Sequence, residues 1–149
     1  MTNAQLDKAV NGEVVLNALT HLNDGEITDA IACFAEEFQF RDRGLGLEFK
    51  KPRRLAEFFR KTRELYPDST LQTDRVIVSG GDVITEWTLR TTLTEPFYGG
   101  QPRKVPIVLR GASVVRTENG RITEWTDYYD GWTSRRSALA AYFEEWVEL

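Results

Sequence analysis

The sequence predicts an α+β domain in which helices pack against one curved, mostly antiparallel sheet. Apolar residues recur with helical spacing in the first half of the chain, whereas the residues after Pro67 are β-branched and aromatic. Two turn sequences, Gly80-Gly81-Asp82 and Glu118-Asn119-Gly120, separate predicted strands as hairpin turns do. Helices followed by consecutive strands are typical of this class. The inward face of such a sheet lines a pocket suited to a small apolar ligand.

Three helices are predicted before Pro67. The first runs from Asn3 to Leu22, where apolar residues occupy every fourth position: Leu6, Val10, Val14, Ala18 and Leu22. Asn23-Asp24-Gly25 ends it, and helical spacing then resumes from Ile27 to Phe38, which predicts a second helix. Pro52 suits the first turn of a third helix, which Tyr66-Pro67-Asp68 terminates.

Strands account for most of the remaining chain. Phe38 to Asp42 alternates as a short strand does, and Gly44 and Gly46 then predict a turn. Four longer strands are predicted at Leu71–Ser79, Val83–Thr94, Lys104–Thr117 and Arg121–Asp130. The loop from Glu95 to Arg103 joins the two longest of them. A C-terminal helix is predicted after a Thr133 or Ser134 cap from four residues at helical spacing: Leu139, Tyr142, Phe143 and Trp146.

Length and composition fit a single domain over residues 1–149, with 41% hydrophobic and 28% charged residues. A net charge of −4 argues against a nucleic-acid partner. One cysteine, Cys33, excludes an intramolecular disulfide, and one histidine, His21, excludes a histidine-rich zinc site. No apolar run approaches the ~20 residues that span a bilayer, and the N-terminus lacks a signal-peptide pattern. We therefore expect a cytoplasmic protein without a membrane partner.

Three sequence motifs indicate a family. They are Asn23-Asp24-Gly25-Glu26, the stretch Phe34-Ala35-Glu36-Glu37-Phe38 before Asp42, and Glu118-Asn119-Gly120-Arg121-Ile122 before Trp125-Thr126-Asp127-Tyr128-Tyr129-Asp130. In these motifs the chain resembles the nuclear transport factor 2-like superfamily, in particular its SnoaL-like, limonene epoxide hydrolase-like and ketosteroid isomerase-like members. The resemblance covers roughly residues 10–130. It implies a cone-shaped fold and a homodimer, but no single reaction, since the superfamily contains isomerases, dehydratases, cyclases, epoxide hydrolases and non-catalytic binders.

The resemblance implies roles for two aspartates. Asp42 matches the catalytic aspartate base of ketosteroid isomerases, whereas Ala18 and Ala112 stand where those enzymes have the oxyanion-hole tyrosine and its partner acid. Steroid isomerisation is therefore disfavoured, because an enolate would lack its hydrogen-bond donors. Asp127 matches the final aspartate of the epoxide hydrolase triad and can also serve as the acid–base carboxylate of a SnoaL-like cyclase.

The rest of the epoxide hydrolase machinery is replaced. Trp87 and Leu89 occupy the two other triad positions, and Phe40 and Asp42 occupy those of the water-positioning tyrosine and asparagine. The resemblance thus supports a catalytic aspartate without supplying a complete catalytic set.

Strand alternation predicts which side chains face the pocket. Trp125, Asp127 and Tyr129 share one face of their strand, which the resemblance places inward. The same reasoning places Arg110, Ala112 and Val114 inward on the neighbouring strand, although one β-bulge there would reverse the face of every later residue. The predicted pocket comprises Phe40, Trp87, Leu89, Trp125 and Tyr129, with Asp42, Asp127 and Arg110 as polar groups.

The two aspartates are predicted to differ in pKa. The one without Arg110 beside it should have a raised pKa and act as general acid or base, whereas the other stays ionised. Both have structural alternatives: Asp42 can cap backbone amides beside a turn, and Asp127 can hydrogen-bond to Tyr129 or Arg110. Trp87, Trp125 and Phe40 can likewise be core residues rather than ligand contacts.

Two hypotheses of function follow. The first is an enzyme of isomerase, cyclase or hydrolase type that uses Asp127 and Asp42 on a hydrophobic small molecule, without metal or organic cofactor. The second is a non-catalytic ligand-binding or dimeric interaction module. A homodimer is expected through the outer sheet face, which includes Tyr128. The nine cations between Arg41 and Arg63 predict a solvated helix face, with an anionic ligand or an acidic subunit face as the alternative.

Overall fold

Helices α1 (Asn3–Asp24), α2 (Ile27–Ala32) and α3 (Pro52–Leu65) contribute the helical layer of the protein. The computed structural model describes residues 2–95 and 103–133. Six strands follow one another as β1 (Phe34–Asp42), β2 (Leu47–Phe49), β3 (Thr70–Ser79), β4 (Asp82–Glu95), β5 (Arg103–Glu118) and β6 (Arg121–Tyr129). They form one sheet of order β2-β1-β6-β5-β4-β3, in which only the β1–β6 pair is parallel. The predicted α+β class, with helices against a mostly antiparallel sheet, is confirmed.

Helix α1 has well-defined ends. Thr2 caps it, because its hydroxyl accepts from the Gln5 amide at 3.2 Å while the Gln5 side chain accepts from the Thr2 amide at 2.8 Å. Gly25 ends it with a φ of 77°, a left-handed conformation that favours glycine. Its inward face buries Val15 and Ala18 completely. None of the described helices is long and apolar enough to cross a bilayer.

The predicted second helix is wrong over its second half. Helix α2 ends at Ala32, and residues 34–38 belong to β1. Phe34 and Phe38 are four positions apart. This spacing places them on one face of a helix, but also on one face of a strand, because side chains of a strand alternate with a period of two. The strand forms because β1 pairs with β6, where Phe34 lies opposite Ile122. The side chains of Phe34, Phe38 and Ile122 are all buried.

The later elements lie where the sequence predicts them. Helix α3 begins at Pro52 and ends before Tyr66, and β3 to β6 form an antiparallel meander. Asn119 and Gly120 have φ angles of 51° and 73°, the left-handed pair that a two-residue hairpin requires. Strand β2 was not predicted and forms a short hairpin with β1 across the Gly44 to Gly46 turn. The predicted C-terminal helix and most of the loop between β4 and β5 lie outside the described residues.

The core lies between the helices and the inner face of the sheet. Trp125 and Phe40 are its largest fully buried side chains, and their rings stack with centroids 6.3 Å apart. Thr85 on β4 is also fully buried, yet its hydroxyl has no hydrogen-bond partner in the part of the chain that the structure describes. An unpaired buried hydroxyl costs folding free energy, so among the described residues this threonine contributes packing only.

Candidate functional site

A cavity of about 510 Å³ lies between the helices and the inner face of the sheet. Its wall is largely apolar and includes residues of α1, α3 and β3 to β6. Seven of the eight predicted site residues line it: Phe40, Asp42, Trp87, Leu89, Trp125, Asp127 and Tyr129. Because pockets of this size and polarity hold small molecules, the cavity is the candidate functional site.

Strand pairing brings the two aspartates together. In the parallel β1–β6 pair, Phe40 lies opposite Trp125 and Asp42 lies opposite Asp127. Residues that are directly opposite in a ladder share a face, so both carboxylates extend into the cavity from neighbouring strands. Alternation within each strand predicts which side chains share a face. The tertiary structure shows that the two strands are neighbours.

Arg110 does not line the cavity, and the prediction that it faces inward is wrong. Its side chain is exposed on the outer face of β5, opposite Thr88 of β4. Val114, also predicted inward, is 41% exposed on the same outer face. The inward residues of β5 are instead Leu109, Gly111 and Ser113, which alternate with the predicted set.

A β-bulge in β6 causes this reversal. Glu118 pairs with Arg121 across the hairpin, so an uninterrupted register would place Arg110 opposite Tyr129. The register shifts by one residue, because Thr117 pairs with Ile122 but Arg116 pairs with Glu124, which leaves Thr123 as the extra residue. Beyond the bulge every β5 residue therefore faces the side of the sheet opposite to the one it would face in an uninterrupted hairpin.

Asp127 is held by a chain of hydrogen bonds across three strands. The Ser113 hydroxyl donates to its Oδ1 at 2.5 Å, and the Trp125 indole donates to the same oxygen at 2.6 Å. The Trp87 indole in turn donates to Ser113 Oγ at 2.9 Å. The second oxygen, Oδ2, accepts no hydrogen bond from any residue that the structure describes. The described part of the chain therefore fixes one carboxylate oxygen and makes no hydrogen bond to the other.

Burial raises the pKa of Asp127 to about 6. The hydrogen bonds from Ser113 and Trp125 oppose this shift, and the negative charge of Asp42 adds to it. A carboxyl group with a pKa near 6 is mostly ionised at neutral pH but is readily protonated, as general acid–base chemistry requires. The prediction that Arg110 distinguishes the two aspartates is wrong, because Arg110 lies on the outer face of β5 beside neither of them; burial is the main cause of the raised pKa of Asp127.

Asp42 has the structural role that was predicted as its alternative, beside the turn after β1. It is 5% exposed, and its Oδ1 accepts from the Leu45 amide at 2.8 Å, which stabilises the turn after β1. The Tyr129 hydroxyl contacts both carboxylate oxygens, at 2.7 and 2.9 Å. Burial and the hydrogen bond to Asp42 raise the pKa of Tyr129, so its hydroxyl stays protonated and donates to Asp42.

Sequence reasoning missed several lining residues. Ser113 was missed because uninterrupted pairing of β5 with β6 places Ala112 opposite Asp127, and the bulge replaces it with Ser113. Tyr66, at the end of α3, also lines the cavity. Of the basic run, Lys61 and Arg63 reach the cavity wall, whereas Arg53 and Arg54 are exposed on the predicted solvated helix face.

A separate group of possible metal ligands lies at the surface. His21, Glu26 and Asp29 have ligand atoms within 4.8 Å of one another and are the one such group in the ranges 2–95 and 103–133. His21 Nδ1 lies 3.2 Å from Glu26 Oε1, and both residues are well hydrated, so an ordinary surface hydrogen bond accounts for the pair.

Comparisons with known proteins agree with the fold. The model of the SnoaL-like domain family matches residues 15–125, which include the cavity residues of β1, β4 and β5 and Trp125 of β6, but end before Asp127 and Tyr129. The comparison with curated proteins gives no match. The resemblance to the nuclear transport factor 2-like superfamily, predicted from sequence motifs, is confirmed.

Three solved structures illustrate the fold. IdmH of Streptomyces antibioticus, a candidate polyketide cyclase, is 18% identical with a TM-score of 0.75 over 86% of this chain and 97% of its own. An epoxide hydrolase of M. tuberculosis, similar to limonene epoxide hydrolase, is 19% identical with a TM-score of 0.69 over 92% and 98%. A protein of Catenulispora acidiphila with a ketosteroid isomerase-like fold, solved in complex with trimethylamine, is 16% identical with a TM-score of 0.72 over 84% and 91%. Similarity at these identities establishes the shared fold, whereas activity depends on the site.

Proposed function

This chain belongs to the SnoaL-like domain family, and from that premise we propose that it is an enzyme acting on a hydrophobic small molecule. The proposed chemistry is acid–base catalysis by Asp127, assisted by Asp42, without metal or organic cofactor. The relatives with the same fold include a candidate cyclase and an epoxide hydrolase, so isomerisation, cyclisation and hydrolysis are the reaction types to consider. All three begin when a base removes a proton, from carbon or from water.

The observation that carries the proposal is the asymmetric environment of Asp127. Its Oδ1 accepts two hydrogen bonds from the protein, while its Oδ2 accepts none from the described residues and the side chain lines the cavity. With a pKa near 6 the group accepts a proton at neutral pH and can return it later in the same cycle. Buried polar atoms usually have a hydrogen-bond partner, so an oxygen that the described residues leave unpaired supports a functional role for this carboxylate.

The cavity also limits the substrate. Its volume and apolar wall suit a molecule of roughly 20 non-hydrogen atoms. The polar donors around Asp127 are already used: Trp87, Ser113, Trp125 and Tyr129 all donate to other protein groups. This end of the cavity therefore presents acceptors and negative charge, which fits a neutral substrate with an acidic proton and disfavours an anion.

A non-catalytic ligand-binding module is the second candidate, and one observation favours it. Ala18 is fully buried in α1, and Ala112 lies on the outer face of β5, so neither position supplies the donor that stabilises an enolate in ketosteroid isomerases. For a binding module, the cavity and its acceptors would select a ligand without changing it.

Filling the cavity tests whether ligands bind there. We expect Leu71→Trp to weaken binding of the neutral fluorescent probe N-phenyl-1-naphthylamine by about tenfold or more, because Leu71 lines the cavity and a larger side chain occupies its volume. Gln72→Trp is the matched control, since Gln72 is the exposed neighbour on the same strand. Probe binding would be measured by fluorescence titration, and displacement would then screen poly-β-ketones, unsaturated ketones and epoxides, with products followed by mass spectrometry. Equal binding by both variants would contradict a ligand site in this cavity.

A homodimer is proposed through the outer face of the sheet. Ile84, Val108, Val114 and Tyr128 are 38%, 43%, 41% and 50% exposed there, on three adjacent strands. Pairing this face with a second copy buries these side chains. We expect the mass of a dimer by light scattering at micromolar concentration, and a monomer after Val114→Lys, which places a charge in the interface. A monomeric wild-type protein would contradict the proposal.

A further inference from the structure

We propose that Ser113, oriented by Trp87, is a positioning residue that makes Oδ2 of Asp127 the oxygen that carries and transfers the proton. The consequence for catalysis rests on the proposed function, whereas the arrangement itself belongs to the ligand-free protein. It follows from the direction in which each of three hydrogen bonds must run.

The direction of the first bond is fixed by the indole. A tryptophan N–H donates and cannot accept, so Ser113 Oγ must accept the bond from Trp87 at 2.9 Å. Ser113 is fully buried, and the acceptor within reach of its own O–H is Asp127 Oδ1 at 2.5 Å. The hydroxyl is therefore held as an acceptor on one side and as a donor on the other.

The second indole completes the asymmetry. Trp125 also can only donate, and its bond ends on the same Oδ1 at 2.6 Å. A proton placed on Oδ1 would face two donors and break one of these bonds. The proton of the neutral acid therefore resides on Oδ2, the oxygen to which no described residue donates.

Two features of the backbone permit this arrangement of hydrogen bonds. A Cβ atom at Gly111 would lie 2.5 Å from both Cζ2 and Cη2 of Trp87, so only glycine leaves the ring in its place. The extra residue Thr123 sets the register that puts Ser113, rather than Ala112, opposite Asp127. The hydrogen bonds from Ser113 and Trp125 also lower the pKa of Asp127, against the larger effect of burial.

The test uses NMR titration of the ligand-free protein. The carboxyl ¹³C signal of Asp127, assigned by its loss in Asp127→Asn, gives the pKa directly. We expect Ser113→Ala to raise that pKa by about one, because a hydrogen bond to the ionised form is lost. Thr85→Val is the matched control: Thr85 is the buried hydroxyl opposite Ser113 in the β4–β5 ladder and bonds to nothing described. It should leave the pKa unchanged.

The indole signals give an independent measurement of the hydrogen-bond chain from Trp87 through Ser113 to Asp127. In the wild type the ¹H–¹⁵N side-chain signals of Trp87 and Trp125 should both shift with a midpoint near 6, since each is coupled to Asp127. In Ser113→Ala the Trp87 signal should lose this titration while that of Trp125 keeps it. Trp87→Phe retains Ser113 and should therefore raise the pKa of Asp127 less than Ser113→Ala does. This variant replaces Ser113→Ala in the test if the alanine variant does not fold.

The outcomes separate this inference from the proposed function. An unchanged pKa in Ser113→Ala, an equal change in Thr85→Val, or a Trp87 signal that does not titrate in the wild type would overturn the positioning role. If the NMR results are as expected and no substrate is ever turned over, the positioning role of Ser113 is supported and the enzyme proposal fails. With a substrate, the acidic limb of the pH–rate profile should move upward by the same amount as the pKa.

Discussion

Replacing Asp127 by asparagine is expected to reduce turnover by about 10²- to 10⁴-fold while changing ligand affinity by only a few-fold. Asparagine has nearly the same shape, and its Oδ1 can still accept the bonds from Ser113 and Trp125. It cannot accept a proton, so only the chemical step is lost. Steady-state kcat and an independent dissociation constant for the same substrate would be measured at pH 7.5.

The pH profile and a charge control sharpen this prediction. If Asp127 acts as the base, wild-type kcat/KM rises with pH through a value near 6, because the ionised form is active. Glu36→Gln removes one negative charge from an exposed position of β1 and should leave both constants unchanged. Full turnover in Asp127→Asn would contradict the catalytic role, and a loss of affinity without any turnover in the wild type would identify a binding module.

The same substitution is expected to stabilise the folded protein at neutral pH. The pKa of Asp127 rises from its usual 3.8 to about 6 on folding, so the folded state holds the proton more tightly than the unfolded chain does. The stability associated with this group is therefore greatest below pH 4 and is lost as the pH rises from about 4 to 6. At pH 7.5 the ionised aspartate costs about 3 kcal/mol, which an uncharged asparagine avoids.

Urea denaturation at two pH values measures this effect. Asp127→Asn should raise the free energy of unfolding by up to about 3 kcal/mol at pH 7.5, and the difference should largely disappear at pH 4. Glu36→Gln again controls for the change in net charge. A variant that is less stable than the wild type at pH 7.5 would show that the carboxylate is a structural partner of Ser113 and Trp125 rather than a strained functional group.

Together the two results would distinguish function from structure. A residue kept for packing loses stability when it is replaced, whereas a residue kept for chemistry can gain stability while activity falls. Asp127 has the arrangement expected of the second kind, since a carboxyl group is buried among aromatic rings and only one oxygen is satisfied by the described protein.

Much of the fold follows from local sequence signals. Pro52 and Tyr66-Pro67 mark the two ends of α3, and Asn119-Gly120 supplies the positive φ angles of the last hairpin. These signals act over a few residues, so the sequence alone determines them. The boundary between α2 and β1 is different, because the spacing of Phe34 and Phe38 fits either structure and pairing with a distant strand decides between them.

The candidate site divides in the same way. Alternation along each strand determined which residues share a face, and the family resemblance predicted that Asp42, Trp87 and Asp127 face the pocket, where the structure places them. Only the tertiary structure decided that Ser113, not Arg110, joins them, because one extra residue at the β6 bulge reverses the whole neighbouring strand. The pKa of Asp127 was likewise decided by packing, since burial and a neighbouring carboxylate arise only when distant segments come together.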